Sequence, residues 1–85
     1  MESNKAYPQP LHIGHLIEEQ LKRDERSVSW LARQIPCTRN HVFKIFQKNS
    51  LDTALLLRIS KVMHFNFFQY YAAEVSKNLE SRIGK

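Results

Sequence analysis

Residues 27–47, Ser27-Val28-Ser29-Trp30-Leu31-Ala32-Arg33-Gln34-Ile35-Pro36-Cys37-Thr38-Arg39-Asn40-His41-Val42-Phe43-Lys44-Ile45-Phe46-Gln47, hold two short helical patterns with a break between them. Ser27 offers a side-chain oxygen to the free amides of a helix whose inward residues are Val28, Leu31, Ala32 and Ile35. Pro36 has no amide hydrogen and biases Ile35 away from helical geometry, so this helix lasts only about two turns. Thr38 restarts the chain as a second N-cap, with Val42, Ile45 and Phe46 inward and Arg39, Asn40, Phe43, Lys44 and Gln47 outward. The small Ala32 belongs where the two helices cross, and Leu31, Ile35, Cys37, Val42 and Ile45 fill the wedge between them. Sizes and spacing match a helix-turn-helix, which holds its second helix proud of the body, where it can enter a major groove about 12 Å wide.

Charge is concentrated on the same stretch. The chain has 13 Lys plus Arg against eight Asp plus Glu, a formal charge of +5, and between Arg26 and Leu51 lie Arg26, Arg33, Arg39, Lys44 and Lys48 with no acid among them. Such a balance favours a polyanionic partner. Arg pairs two hydrogen bonds with guanine and Asn does the same with adenine, so Arg39 and Asn40 put base-reading chemistry at a helix N-terminus, with Lys44 one turn further along. Ser27, Arg33, Lys48, Asn49 and Ser50 supply small polar groups and cations where phosphates would pass, contacts that fix register and not sequence.

Outside this stretch the pattern stays helical. Ile13, Leu16, Ile17 and Leu21 recur at helical spacing over residues 11–24, with Pro10 suited to the first turn. Ser50 is expected to cap a helix over 51–63, with Asp52 in its first turn and a stripe of Leu51, Leu55, Leu56, Ile59, Val62 and Met63. Asn66 is expected to cap a last helix over 66–76. Residues 1–10 read as a flexible arm and 77–85 as a fraying tail. The expected fold is all-α, a compact bundle of four to five short helices over residues 11–76.

Eighty-five residues allow one small domain and leave no room for a second, catalytic one. One cysteine, Cys37, cannot close an intramolecular disulfide, and no apolar secretion segment opens the chain, so a reduced, cytoplasmic setting is expected. No apolar run approaches the roughly 20 residues of a membrane span.

At this point the chain resembles the lambda-repressor-like, XRE-type helix-turn-helix regulators of bacteria and phages. The likeness runs from about Ile13 to Tyr71. Ile13-Gly14-His15-Leu16-Ile17 is similar to that family's first helix, Ser27 to Ala32 to its second, Thr38 to Ile45 to its recognition helix, and Leu51 to Leu56 to the opening of its fourth. The resemblance implies a sequence-specific regulator of transcription on double-stranded DNA, nucleoid-associated, with base contacts at Thr38, Arg39, Asn40 and Lys44 and phosphate contacts near Ser27, Arg33 and Asn49. The chain departs from the family at Pro36, where a turn glycine is usual, and at Trp30, where a polar residue is common. Proline cannot adopt the left-handed conformation, so the turn must be rerouted and the angle of the recognition helix is left open.

Other constellations carry less. His12-Ile13-Gly14-His15 spells the signature of class I aminoacyl-tRNA synthetases, yet it opens a helix in a chain too short for that enzyme, and Gly14 better serves close helix packing. Cys37 and His41 have the spacing of half a zinc site but lack a second thiolate, so no metal or other cofactor is expected. No catalytic triad or phosphate-binding glycine loop stands out, and neither enzymatic activity nor a small-molecule ligand is expected. Phe43 could touch a thymine methyl or pack on a neighbouring helix. The aromatic row Phe67, Phe68, Tyr70 and Tyr71 exceeds what so small a core can cover. It suits a homodimer contact, which would pair recognition helices on a palindrome, or a docking face for a protein partner. The competing reading is therefore a protein-interaction module, antitoxin-like or anti-repressor, built on that last helix.

Overall fold

Short polar side chains set the helix starts. The computed structural model of the chain describes residues 11–83, with side chains as far as Lys77, and these residues form five α-helices and no strand. They are α1 (Ile13–Arg23), α2 (Val28–Gln34), α3 (Arg39–Phe46), α4 (Thr53–Met63) and α5 (Phe68–Ile83). Ser27 Oγ accepts from the Trp30 amide at 3.0 Å, and Thr38 Oγ1 accepts from the His41 amide at 3.1 Å, each cap worth about 1 kcal/mol. His12 caps α1 in the same way, its Nδ1 accepting from the His15 amide at 3.2 Å, and its ring stacks on that of His15 with centroids 3.7 Å apart. The expected role of Pro10 falls outside the described residues, as does the arm of residues 1–10.

Two starts differ from expectation. Asp52 caps α4, its Oδ1 accepting from the Leu55 amide at 2.8 Å, so the helix opens at Thr53 and Ser50 stays in the preceding turn. A carboxylate makes the stronger, charge-assisted cap, and it overrides the serine two residues earlier. Asn66 does accept from the Phe68 amide, at 3.0 Å, but α5 begins only at Phe68. At its other end α5 runs on to Ile83 and takes in seven residues that were read as tail beyond 76. No proline or glycine interrupts 68–83, and a Glu74–Lys77 pair at 3.6 Å supports the continuation.

The helix ends are equally specific. Glu25 (φ 57°) and His64 (φ 53°) adopt the left-handed conformation after α1 and α4. At the first, Arg26 N–H donates to the Leu21 carbonyl and Glu25 N–H to that of Lys22; at the second, Phe65 N–H donates to Ser60 and His64 N–H to Lys61. These paired bonds define a Schellman end, where glycine is the usual occupant. Glu25→Gly is therefore expected to raise stability by about 0.5–1 kcal/mol, measured by urea denaturation, because it removes the Cβ strain of a left-handed residue. An unchanged or lower midpoint would contradict the geometry.

Between α2 and α3 the chain turns without any left-handed residue. Ile35 takes φ −110°, ψ 37°, and Cys37 N–H closes the turn on the Ala32 carbonyl at 2.9 Å. Pro36 is thus accommodated at negative φ, with the turn rerouted around it as its ring requires.

One core gathers four helices and the corner before the fifth: Ile13, Ile17 and Leu21 from α1, Leu31, Ala32 and Ile35 from α2 and its end, Val42, Ile45 and Phe46 from α3, Leu56, Ile59 and Met63 from α4, and Phe67 before α5. Phe67 was expected on an interface, and that assignment is corrected, since its side chain is fully buried. The cause is local. The Phe67 amide donates to the buried Ser60 Oγ at 3.4 Å, which pulls the α4–α5 corner inward, and the Phe65 ring packs 4.7 Å away. Phe68, Tyr70 and Tyr71 remain half-buried at the core's edge. Among the described residues, no helix is long and apolar enough to cross a membrane.

Candidate nucleic-acid interface

Helix α3 is clamped from behind by α1 and α2. Where α1 crosses its C-terminal end, the Gly14 amide donates to the Lys48 carbonyl at 2.9 Å. A Cβ on Gly14 would collide with the carbonyl oxygens of Ile45 and Phe46 and stand 2.6 Å from that of Lys48. Only glycine lets the two backbones approach this closely. On the α2 side, Ala32 is 95% buried beside the fully buried Leu31 and Val42, so the crossing is filled by the small residue the spacing demanded.

With Val42, Ile45 and Phe46 committed to the core, the opposite side of α3 is open. Arg39, Asn40, Phe43, Lys44 and Gln47 are all exposed, as is Thr38 at its start. Ser27, Arg33, Lys48, Asn49 and Ser50, assigned to phosphates from sequence, are exposed too. Ser27 and Thr38 spend an oxygen lone pair on their caps, which leaves each O–H free to donate outward. Ser50, released from the capping role expected of it, keeps its whole hydroxyl.

The electrostatics of this face are one-signed. The ion pairs among the described residues are Lys22–Glu18 and Lys77–Glu74, both elsewhere, so Arg33, Arg39, Lys44 and Lys48 have no carboxylate partner among them. Arg26 is engaged differently: its guanidinium lies 4.4 Å from the centre of the Trp30 ring. This cation–π contact gives the Trp30 ring a partner at the start of α2, and an Arg four residues before a Trp was the signal for it. Sequence reasoning also missed Ser60 as the corner's internal bond acceptor, because a serine within an apolar stripe reads as a surface residue.

Phe43 packs within its own helix and not on a neighbouring one. Its ring meets Phe46 edge-on at 6.1 Å, yet 49% of the residue stays exposed. Cys37 is half-buried in the turn and packs against the core, and burial pushes its thiol up from its ordinary value, which keeps it protonated and weakly nucleophilic. Among the described residues no three His, Cys, Asp or Glu side chains gather closely enough to hold a metal ion. The second candidate surface, on α5, consists of the half-buried Phe68, Tyr70 and Tyr71 and of Val75, 57% exposed. Burial raises the Tyr71 hydroxyl above its usual range, so it stays neutral.

Comparison of the chain with protein-family models, with curated proteins and with solved structures finds no significant match.

Proposed function

We propose that this chain is a sequence-specific regulator that binds double-stranded DNA through a helix-turn-helix formed by α2 and α3, in the manner of the XRE-type regulators it resembles. The observation that carries the reading is the outward side of α3: Arg39, Asn40 and Lys44 exposed, free of carboxylate partners among the described residues, and held on a backbone clamp. In this reading Thr38, Arg39, Asn40 and Lys44 address base edges, and Phe43 adds an apolar surface for a thymine methyl. Ser27, Arg33, Lys48, Asn49 and Ser50 hold the phosphates on either side and set the register.

Titration against duplex DNA at rising salt tests the proposal. Binding is expected to weaken with a log–log slope of about −0.9 for each phosphate that a cation neutralises. Absence of duplex binding even at low salt would sink it. At residue level, Arg39→Ala is expected to cost roughly 1–3 kcal/mol on the preferred site and to relax selection at one base pair, whereas Lys48→Ala weakens all duplexes alike. Selection of bound duplexes from a random pool, with the parent and both variants, measures each effect. Equal losses for Arg39→Ala on preferred and random DNA would remove Arg39 from the base-reading set.

A second reading draws on α5. Val75 is exposed beside the half-buried Phe68, Tyr70 and Tyr71, an apolar strip that suits either a second copy or another protein. A two-fold pairing there would set two α3 helices on half-sites about 34 Å apart, while a chain acting purely as a protein-interaction module would use the same strip without DNA affinity. Sedimentation over a range of concentrations, with and without duplex, separates these cases.

A further inference from the structure

Helix α4 turns Leu56, Ile59, Ser60 and Met63 into the core, and among the described residues nothing covers the opposite side, which stays exposed. Ala54, Leu57, Arg58 and Lys61, spaced i, i+3, i+4 and i+7, form one exposed stripe, with Leu57 46% exposed at its centre. Two shallow grooves flank that leucine. One, of about 290 Å³, is lined by Ala54, Leu57, Arg58, Lys61 and Val62; the other, of about 390 Å³, continues from Leu57 and Lys61 to Phe65 and Phe68 at the start of α5, with Ser60, His64 and Asn66 also in its lining. No carboxylate lines either groove. Asp52 lines a third groove beside Ala54 and Arg58, but its carboxylate is engaged in capping α4, and neither Arg58 nor Lys61 has an ion-pair partner among the described residues.

We infer that this face of α4 docks an acidic amphipathic helix of a partner protein, with apolar side chains seated on Leu57, Val62 and Phe68 and carboxylates opposite Arg58 and Lys61. Charge complementarity selects the occupant. A cationic rim around an apolar floor rewards a segment that carries leucine-like anchors at helical spacing with Asp or Glu between them. Nucleic acid would satisfy the two cations but offers little to cover the apolar floor. A second copy of the chain is a poorer fit, because the exposed Val75 of α5 is flanked by the self-compensated Glu74–Lys77 pair. The face is distinct from the outward side of α3, so a chain bound to DNA could still hold such a partner.

The test is isotope-labelled full chain titrated with a fluorescent peptide of about 14 residues, Leu at i, i+4 and i+7 and Glu between, long enough for helix to form on contact. Two control peptides carry Gln or Lys in place of every Glu. The expected result is that amide and methyl signals of Leu57, Lys61, Val62 and Phe68 shift and that Leu57→Ser abolishes the shifts. The Gln peptide should bind about five- to tenfold more weakly and the Lys peptide not at all, and the doubly reversed Arg58→Glu, Lys61→Glu chain should prefer the Lys peptide. Circular dichroism of each variant confirms helix content, which these exposed positions should leave intact. No shifts with the Glu peptide, equal binding of all three peptides, shifts of the same signals by duplex DNA alone, or their movement on simple dilution of the free chain would each overturn the assignment.

Discussion

Gly14→Ala is expected to lower the melting temperature by about 10–20 °C, the shift that a clash of roughly 2–3 kcal/mol produces in a domain of this size. Three peptide carbonyls, those of Ile45, Phe46 and Lys48, occupy the space that the new methyl would need. A flexible side chain could swing aside, but these oxygens belong to the end of α3 and its exit turn, and moving them displaces the helix. Alanine is the better helix former by about 1 kcal/mol, so propensity alone predicts the opposite sign. Thermal denaturation followed by circular dichroism decides between them, and a rise or an unchanged midpoint would show that α1 and α3 are not in backbone contact. Because α3 moves with the clash, the proposed DNA-binding role adds that weaker duplex binding should accompany the loss of stability.

Phe67→Ala is expected to cost about 3–5 kcal/mol, the range for deleting a buried aromatic ring, out of a total stability of roughly 5–15 kcal/mol for a domain. Its ring is fully buried in the core cluster beside Phe65, and its amide is tied to Ser60. Val75→Ser, by contrast, should leave the denaturation midpoint almost unmoved, since Val75 is largely exposed. Urea denaturation of the two variants side by side makes the comparison. If Phe67→Ala proved as stable as the parent while it altered association, the residue would belong to an interface after all.

Much of this architecture was legible in the chain itself. Ser27 and Thr38 announce their helices because each is a lone cap ahead of an apolar pattern, and Pro36 leaves the first of those helices nowhere to continue. The small residues Ala32 and Gly14 signal close approach, though only coordinates reveal that Gly14 faces backbone and not side chains. The ambiguous places were those where two local rules compete. Ser50 and Asp52 are both good caps, and only the energetics of the carboxylate separate them. Phe67 sits in a row of aromatics whose alternation between core and surface depends on the Ser60 bond, a contact seven residues away. The extension of α5 past residue 76 follows a run of residues without proline or glycine, a matter of intrinsic propensity that periodicity does not register. The outward residues of α3 were placed correctly because a helix with a single apolar stripe has only one other side to offer.

The hydrogen bond from the Gly14 amide to the Lys48 carbonyl and the carbonyl cradle around it carry no side-chain identity at all. The pose of α3 therefore leans on backbone and not on the identities of Arg39, Asn40 and Lys44. A combinatorial library could rewrite those three exposed positions of the eight-residue helix without disturbing how it is mounted.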